Sequence, residues 1–97
     1  DRALRMLAKR GAVFRYVFLD PPYRMKIADT LMAEMAERGM LEDGAVVVVE
    51  HEADHAYPET VGGLARRRLA TYGETAVSIY HYDRAAGAAE EETDEGS

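Results

Sequence analysis

The stretch Asp20-Pro21-Pro22-Tyr23 closes the apolar run Tyr16-Val17-Phe18-Leu19, and its groups suit one demanding reaction, methyl transfer onto an aromatic amine. An exocyclic amine on a nucleobase is a poor nucleophile because its lone pair is delocalised into the ring. Two hydrogen-bond acceptors offset this. With the Asp20 carboxylate and the Pro21 carbonyl each taking one N–H bond, the nitrogen is drawn toward tetrahedral geometry and its lone pair is aimed at an electrophilic methyl group. Pro22 stiffens the segment, since successive prolines restrict φ and hold the preceding residue extended. Tyr23 offers a flat face, and stacking on a base withdrawn from its helix or loop restores roughly 1–3 kcal/mol. A strand followed by a Pro-rich turn is the bland alternative. Against it stands the location, because open α/β sheets take their ligands beyond the carboxyl ends of the strands, where Asp20 falls.

Glu50 and His51 follow the second apolar run, Val46-Val47-Val48-Val49. A strand beside the Asp20 strand would deliver both to the same crevice, as substrate-binding candidates or as an ordinary loop pair. His51-Glu52-Ala53-Asp54-His55 also satisfies the H-E-x-x-H pattern of zinc hydrolases. That chemistry needs both histidines one turn apart on a helix. Here the pattern starts at the end of a valine-rich strand and Pro58 follows soon after, so a polar loop is the expectation and no metal site is assigned.

These residues need elements to hold them. Arg2 to Arg10 carries Leu4, Met6 and Leu7 among bases and reads as the end of an amphipathic helix leading through Gly11. Arg15 to Leu19 reads as a strand. Met25 to Arg38 sets Ile27, Ala28, Leu31, Met32, Met35 and Ala36 on one helical face, with Gly39 at its C-terminal end. Ala45 to Glu50 shows no alternation, as expected of a parallel strand covered on both faces. A strand, a helix and a parallel strand make one right-handed βαβ unit. Arg67 to Thr71 and Thr75 to Tyr82 flank Tyr72-Gly73-Glu74, a hairpin turn.

Three segments together, Phe18-Leu19-Asp20-Pro21-Pro22-Tyr23, Val46-Val47-Val48-Val49-Glu50-His51 and Tyr72-Gly73-Glu74-Thr75-Ala76-Val77-Ser78-Ile79-Tyr80, resemble the C-terminal half of the RsmD family. Its members are guanine-N2 methyltransferases of small-subunit ribosomal RNA that use S-adenosylmethionine. The first segment alone is shared with DNA adenine and other amine methyltransferases. The resemblance implies an α/β fold, the C-terminal half of a Rossmann-like class I methyltransferase sheet with a parallel βαβ unit and an antiparallel C-terminal hairpin. It implies Asp20, Pro21, Pro22 and Tyr23 as catalytic residues, Asp20 and Pro21 also against the cofactor, and Tyr23, Glu50 and His51 toward the substrate. It also implies ribosomal RNA or the small ribosomal subunit as partner. A complete fold of this kind is roughly twice as long as these 97 residues. The chain starts at Asp1 and shows neither a Gly-rich turn after a first strand nor an acidic residue ending a second. Both are expected upstream, so the expectation is half an enzyme, or a processed or truncated chain, with a non-catalytic module as the alternative function.

Composition is compatible with a cytoplasmic protein. The chain has no cysteine, which rules out disulfides and thiolate metal sites. No apolar stretch approaches the ~20 residues that cross a bilayer. The net charge of −6 is unusual for a partner of RNA until it is divided along the chain. Residues 85–97 carry five acids and no Lys or Arg, leaving 13 acids against 12 bases in residues 1–84. The expected organisation is therefore a domain over 1–84 and a disordered acidic tail over 85–97. Arg66-Arg67-Arg68 and the set Arg2, Arg5, Lys9 and Arg10 are the basic clusters. Each reads as a solvated surface or as a phosphate contact.

Overall fold

The computed structural model describes residues 2–20 and 27–87. Two helices, α1 (Arg2–Lys9) and α2 (Ala28–Glu37), and five strands, β1 (Phe14–Leu19), β2 (Leu41–Glu52), β3 (Thr60–Val61), β4 (Leu64–Tyr72) and β5 (Thr75–Tyr82), follow in the order α1-β1-α2-β2-β3-β4-β5. The strands form a single mixed sheet ordered β1-β2-β5-β4-β3. β1 and β2 are parallel, with Tyr16 to Leu19 opposite Val46 to Val49 in register. β5 runs antiparallel to both β2 and β4. The expected parallel pair and closing hairpin are both present.

Local chemistry explains most boundaries. α2 ends where Gly39 takes φ +69°, and the Met40 N–H returns 2.9 Å to the Met35 carbonyl, closing the last turn with a left-handed residue. β4 and β5 are joined by Gly73-Glu74 between the paired Tyr72 and Thr75, and Gly73 supplies the positive φ of a two-residue hairpin turn.

α2 lays Ala28, Met32 and Met35 on one face of the sheet, against a core that includes Leu41, Val47, Val49, Leu64, Tyr80 and Tyr82. Leu7 of α1 joins the same core. On the other face, Tyr16, Phe18, Val46, Val48, Val77 and Ile79 share the pleat. There the valines are half-buried, while Tyr16 and Phe18 are 74% and 63% exposed. β2 therefore alternates in burial, and its unbroken apolar run is covered on one face and half-open on the other.

β2 starts at Leu41, four residues before the expected Ala45, because Leu41 pairs with Phe14 ahead of a register break. Glu42-Asp43-Gly44 lies in that break. β4 holds a bulge between Arg66 and Arg68, which pair with the consecutive residues Tyr80 and Ile79. Arg67 is the extra residue, and both Arg67 and Arg68 are exposed rather than alternating. The two-residue β3, missed by sequence reasoning, depends on the Gly62-Gly63 turn. At Gly63 (φ +92°) a Cβ would stand 2.9 Å from the Asp83 carbonyl oxygen. Arg84 to Gly87 form one helical turn that Asp83 Oδ1 caps, accepting from the Ala85 N–H at 3.0 Å. Asp43 ties this turn to β2 through the Arg84 N–H, at 3.1 Å. Residues 88–97, most of the expected tail, lie outside the described residues.

Candidate active site

Parallel pairing of β1 and β2 sets their carboxyl ends side by side, Leu19 opposite Val49. Asp20 is the next residue of the first strand and is exposed. Glu50 is the next residue of the second and is half-buried. Pro21, Pro22 and Tyr23 lie outside the described residues, so of the tetrapeptide only Asp20 is seen. It stands at the expected edge.

Glu50 and His51 are successive residues of one strand and so point to opposite faces. Glu50 shares the half-open face with Val48, opposite Val77. His51 is buried on the α2 side. Both of its ring nitrogens are engaged. Nδ1 stands 2.8 Å from the Glu52 carbonyl oxygen, which can only accept, so Nδ1 donates there. Nε2 is hydrogen-bonded to the Ser78 hydroxyl at 2.8 Å. The partner Ser78 is fully buried in β5, and its pairing with His51 had no signal in the local sequence.

The H-E-x-x-H segment is a strand end, a turn and a loop, not a helix: His51 and Glu52 close β2, Ala53-Asp54 turn, and His55 follows. With its nitrogens occupied, His51 is not disposed as a zinc ligand. Among the described residues, no three His, Cys, Asp or Glu side chains stand together as a metal site.

Tyr57 packs beneath this edge. Its ring meets His51 edge-on at 5.0 Å and 89°, and His55 at 4.4 Å and 82°. Its oxygen accepts from the backbone N–H of Ala28, 3.4 Å away, in the first turn of α2. Beside it, Tyr80 donates to the Pro58 carbonyl at 2.6 Å, and Arg66 Nη1 to the Tyr57 carbonyl at 3.3 Å. Burial pushes the phenols of both Tyr57 and Tyr80 above their ordinary range. One arginine of the basic run is thus spent inside the molecule. A cleft of about 460 Å³ at the same edge, lined by Glu52, Ala53, Asp54, Gly73 and Glu74, has acidic walls. Phosphates would be repelled there.

Residues 1–81 match the family described as Conserved hypothetical protein 95. The chain belongs to it, the RsmD family. Among RsmD-type relatives, the chain is 45% identical over 80 residues to YlbH of Bacillus subtilis, a protein named for rRNA methyl transfer. It is 28% identical over 80 residues to Ribosomal RNA small subunit methyltransferase D of Escherichia coli K12. Each match takes in 82% of this chain, but only 44% of the first relative and 40% of the second. The chain spans under half the length of these curated relatives.

Solved structures agree on the fold. A conserved protein of Streptococcus pyogenes superposes with a TM-score of 0.77 at 27% identity, over 84% of this chain and 49% of that one. A Haemophilus influenzae protein described as a methylase gives 0.66 at 27% identity, over 72% and 43%. The mixed sheet is that of one part of a Rossmann-like methyltransferase. Among the described residues, no helix is long and apolar enough to cross a membrane.

Proposed function

We propose that this chain supplies the amine-orienting part of an S-adenosylmethionine-dependent methyltransferase acting on the exocyclic N2 of a guanine in small-subunit ribosomal RNA. The observation that carries the reading is the place of Asp20. It is an exposed carboxylate one residue past a parallel strand, at the sheet edge where α/β folds hold ligands. An RNA substrate of this kind would place the protein in the cytoplasm.

Bound S-adenosylmethionine supplies an electrophilic methyl group on a sulfonium. An exposed acidic residue at this edge fits a cationic group, and Asp20 and Pro21 are the positions of this chain proposed to lie against it. The Asp20 carboxylate accepts one N–H of the guanine amine and the Pro21 carbonyl the other, which turns the lone pair toward the methyl carbon. Tyr23 stacks on the base and Pro22 limits the loop's freedom. S-adenosylmethionine bound there would give up its methyl group to the nitrogen, its S–C bond breaking as the N–C bond forms and S-adenosylhomocysteine leaving. The methylated nitrogen then loses a proton to Asp20 or solvent. Glu50 lines the crevice from the neighbouring strand. His51, held by Ser78 and Glu52, shapes it from beneath.

The test is Asp20→Ala in the intact protein, with labelled methyl transfer to small ribosomal subunits as the readout. We expect a loss of about 100-fold or more, the scale seen when one preorganised polar contact is removed from a transition state. The circular dichroism spectrum should be unchanged, because Asp20 is exposed. Wild-type turnover by the variant would end the reading. Transfer to duplex DNA adenine in preference to ribosomal subunits would replace the substrate and keep the chemistry. A non-catalytic module is the alternative reading. It predicts that the folded chain shows no calorimetric heat with S-adenosylhomocysteine.

A further inference from the structure

Sheet register decides which face an arginine of β4 occupies. Cross-strand partners share a face. Arg66 pairs with Tyr80, buried on the α2 side, whereas Arg68 pairs with Ile79 on the half-open side. An unbroken strand would put residues 66 and 68 on one face. The extra residue, Arg67, therefore turns Arg68 away from α2 and onto the half-open face. Phe18, Val48, Ile79 and Arg68 then form one row across β1, β2, β5 and β4.

Other arginines are already engaged. Arg66 binds the Tyr57 carbonyl, Arg15 pairs with Glu42, Arg38 with Glu34, and Arg84 binds the Leu41 carbonyl. Arg67 and Arg68 are exposed, and among the described residues neither has a hydrogen-bond or ion-pair partner. Glu59 borders the same edge, where its carbonyl accepts the Arg66 N–H at 2.8 Å, but its carboxylate pairs with neither arginine. The acids Glu52, Asp54 and Glu74 stand at the hairpin end of the sheet, past Tyr72. Four residues of strand separate Arg68 from Tyr72, roughly 13 Å, which exceeds the ~8 Å screening length at physiological salt. Two cations without an anion of their own thus stand side by side at a bulge, a feature that re-aims side chains.

We propose that Arg67 and Arg68 bind phosphates of the RNA backbone flanking the methylated nucleotide. This rests on the reading of the substrate as ribosomal RNA. A guanidinium matches phosphate with a planar fork of N–H donors, and adjacent arginines present two forks to one stretch of backbone. The row from Phe18 to Arg68 spans three strand spacings, roughly 14 Å, so the pair stands well apart from Asp20 and meets backbone outside the reacting guanine. Contacts of this kind fix the position of the RNA without reading its sequence.

The experiment is the Arg67→Gln, Arg68→Gln double variant of this chain, titrated with a fluorescent single-stranded RNA oligonucleotide over a range of salt concentrations. Arg5→Gln, Lys9→Gln, which removes two exposed cations of α1, is the charge-matched control. Losing two phosphate contacts should flatten the slope of log affinity against log salt by about 1.4, or about 0.7 for each on a single strand. Affinity at low salt should fall about tenfold, while the control stays near wild type. Arg67→Lys, Arg68→Lys keeps the charge without the fork and should keep the slope. On addition of RNA to wild type, the amides of Arg67, Arg68 and Ile79 should shift in ¹H–¹⁵N spectra. Equal losses in the Gln variant and the control, an unchanged slope in the Gln variant, a lost slope in the Lys variant, or a wild type without RNA affinity would each overturn the proposal. In a preparation that methylates small ribosomal subunits, the Gln variant should raise KM for RNA at unchanged kcat, and a lowered kcat at unchanged KM would also overturn it. Wild-type turnover by Asp20→Ala would end the amine-orienting reading and leave the phosphate contacts standing.

Discussion

Asp20 contributes one acceptor oxygen to the proposed reaction, and this separates two substitutions that a bulk electrostatic role would not. Asp20→Asn keeps an amide oxygen that can accept an N–H bond, whereas Asp20→Ala keeps none. We expect Asn to retain a measurable fraction of methyl transfer, at least tenfold above Ala, in a side-by-side assay on ribosomal subunits. Equal activities would mean that charge alone matters. The position of Asp20 just past β1 was legible in the sequence because its signal is local: a carboxylate at the end of an apolar run. His51 was only half legible. Its position at the end of β2 followed from the valine run, but its partner Ser78 and the ring of Tyr57 come from elsewhere in the chain. Spacing alone grouped His51 with His55 as an H-E-x-x-H pair. What they share in the folded chain is a tyrosine ring.

At the scale of elements, α2 was read from its stripe of apolar residues and Gly39, and Ala28, Met32 and Met35 do form its buried face. Met32→Ala should cost about 2–5 kcal/mol in urea unfolding, the range for deleting a fully buried long side chain. The features that escaped were those in which a strand departs from its period: the register break ahead of Val46 and the bulge at Arg67. Neither has a marker in composition, because each is decided by the partner strand. The link between β5 and the loop after β2 has a pH signature. Burial raises the Tyr80 phenol, so the neutral form is favoured by folding. Stability from this group is complete below its ordinary value near 10 and is lost as the pH rises through the higher folded value. Ionisation also removes the proton that Tyr80 donates to Pro58. Wild type should exceed Tyr80→Phe by about 0.5–1.5 kcal/mol at pH 7, with the gap closing above pH ~10 in denaturant titrations. A gap constant across that range would contradict this account. At the junction of β3 with the C-terminal turn, Gly63→Ala should destabilise by about 1–3 kcal/mol or more, since both the positive φ and the contact with Asp83 forbid a side chain.

For the molecule as a whole, the two faces of the sheet differ. One is sealed by α2, and the other leaves Tyr16 and Phe18 largely in water beside half-buried valines. Large contiguous apolar surfaces on soluble proteins favour association. Sedimentation velocity should show association that grows over the micromolar range and weakens in a Tyr16→Ser, Phe18→Ser double variant. A single species indifferent to concentration and substitution would refute this. The valine run of β2 has a further consequence, in the order of synthesis. Val46 to Val49 leaves the ribosome before β5, its antiparallel partner, has been made. The β4–β5 hairpin, joined by two residues, closes on the order of microseconds once complete, but until then a β-branched segment without proline waits with an unpaired edge. Glu42 and Asp43 precede that segment and Glu50 and Glu52 follow it, so each nascent copy carries negative charge on both flanks and repels its neighbours on a polysome.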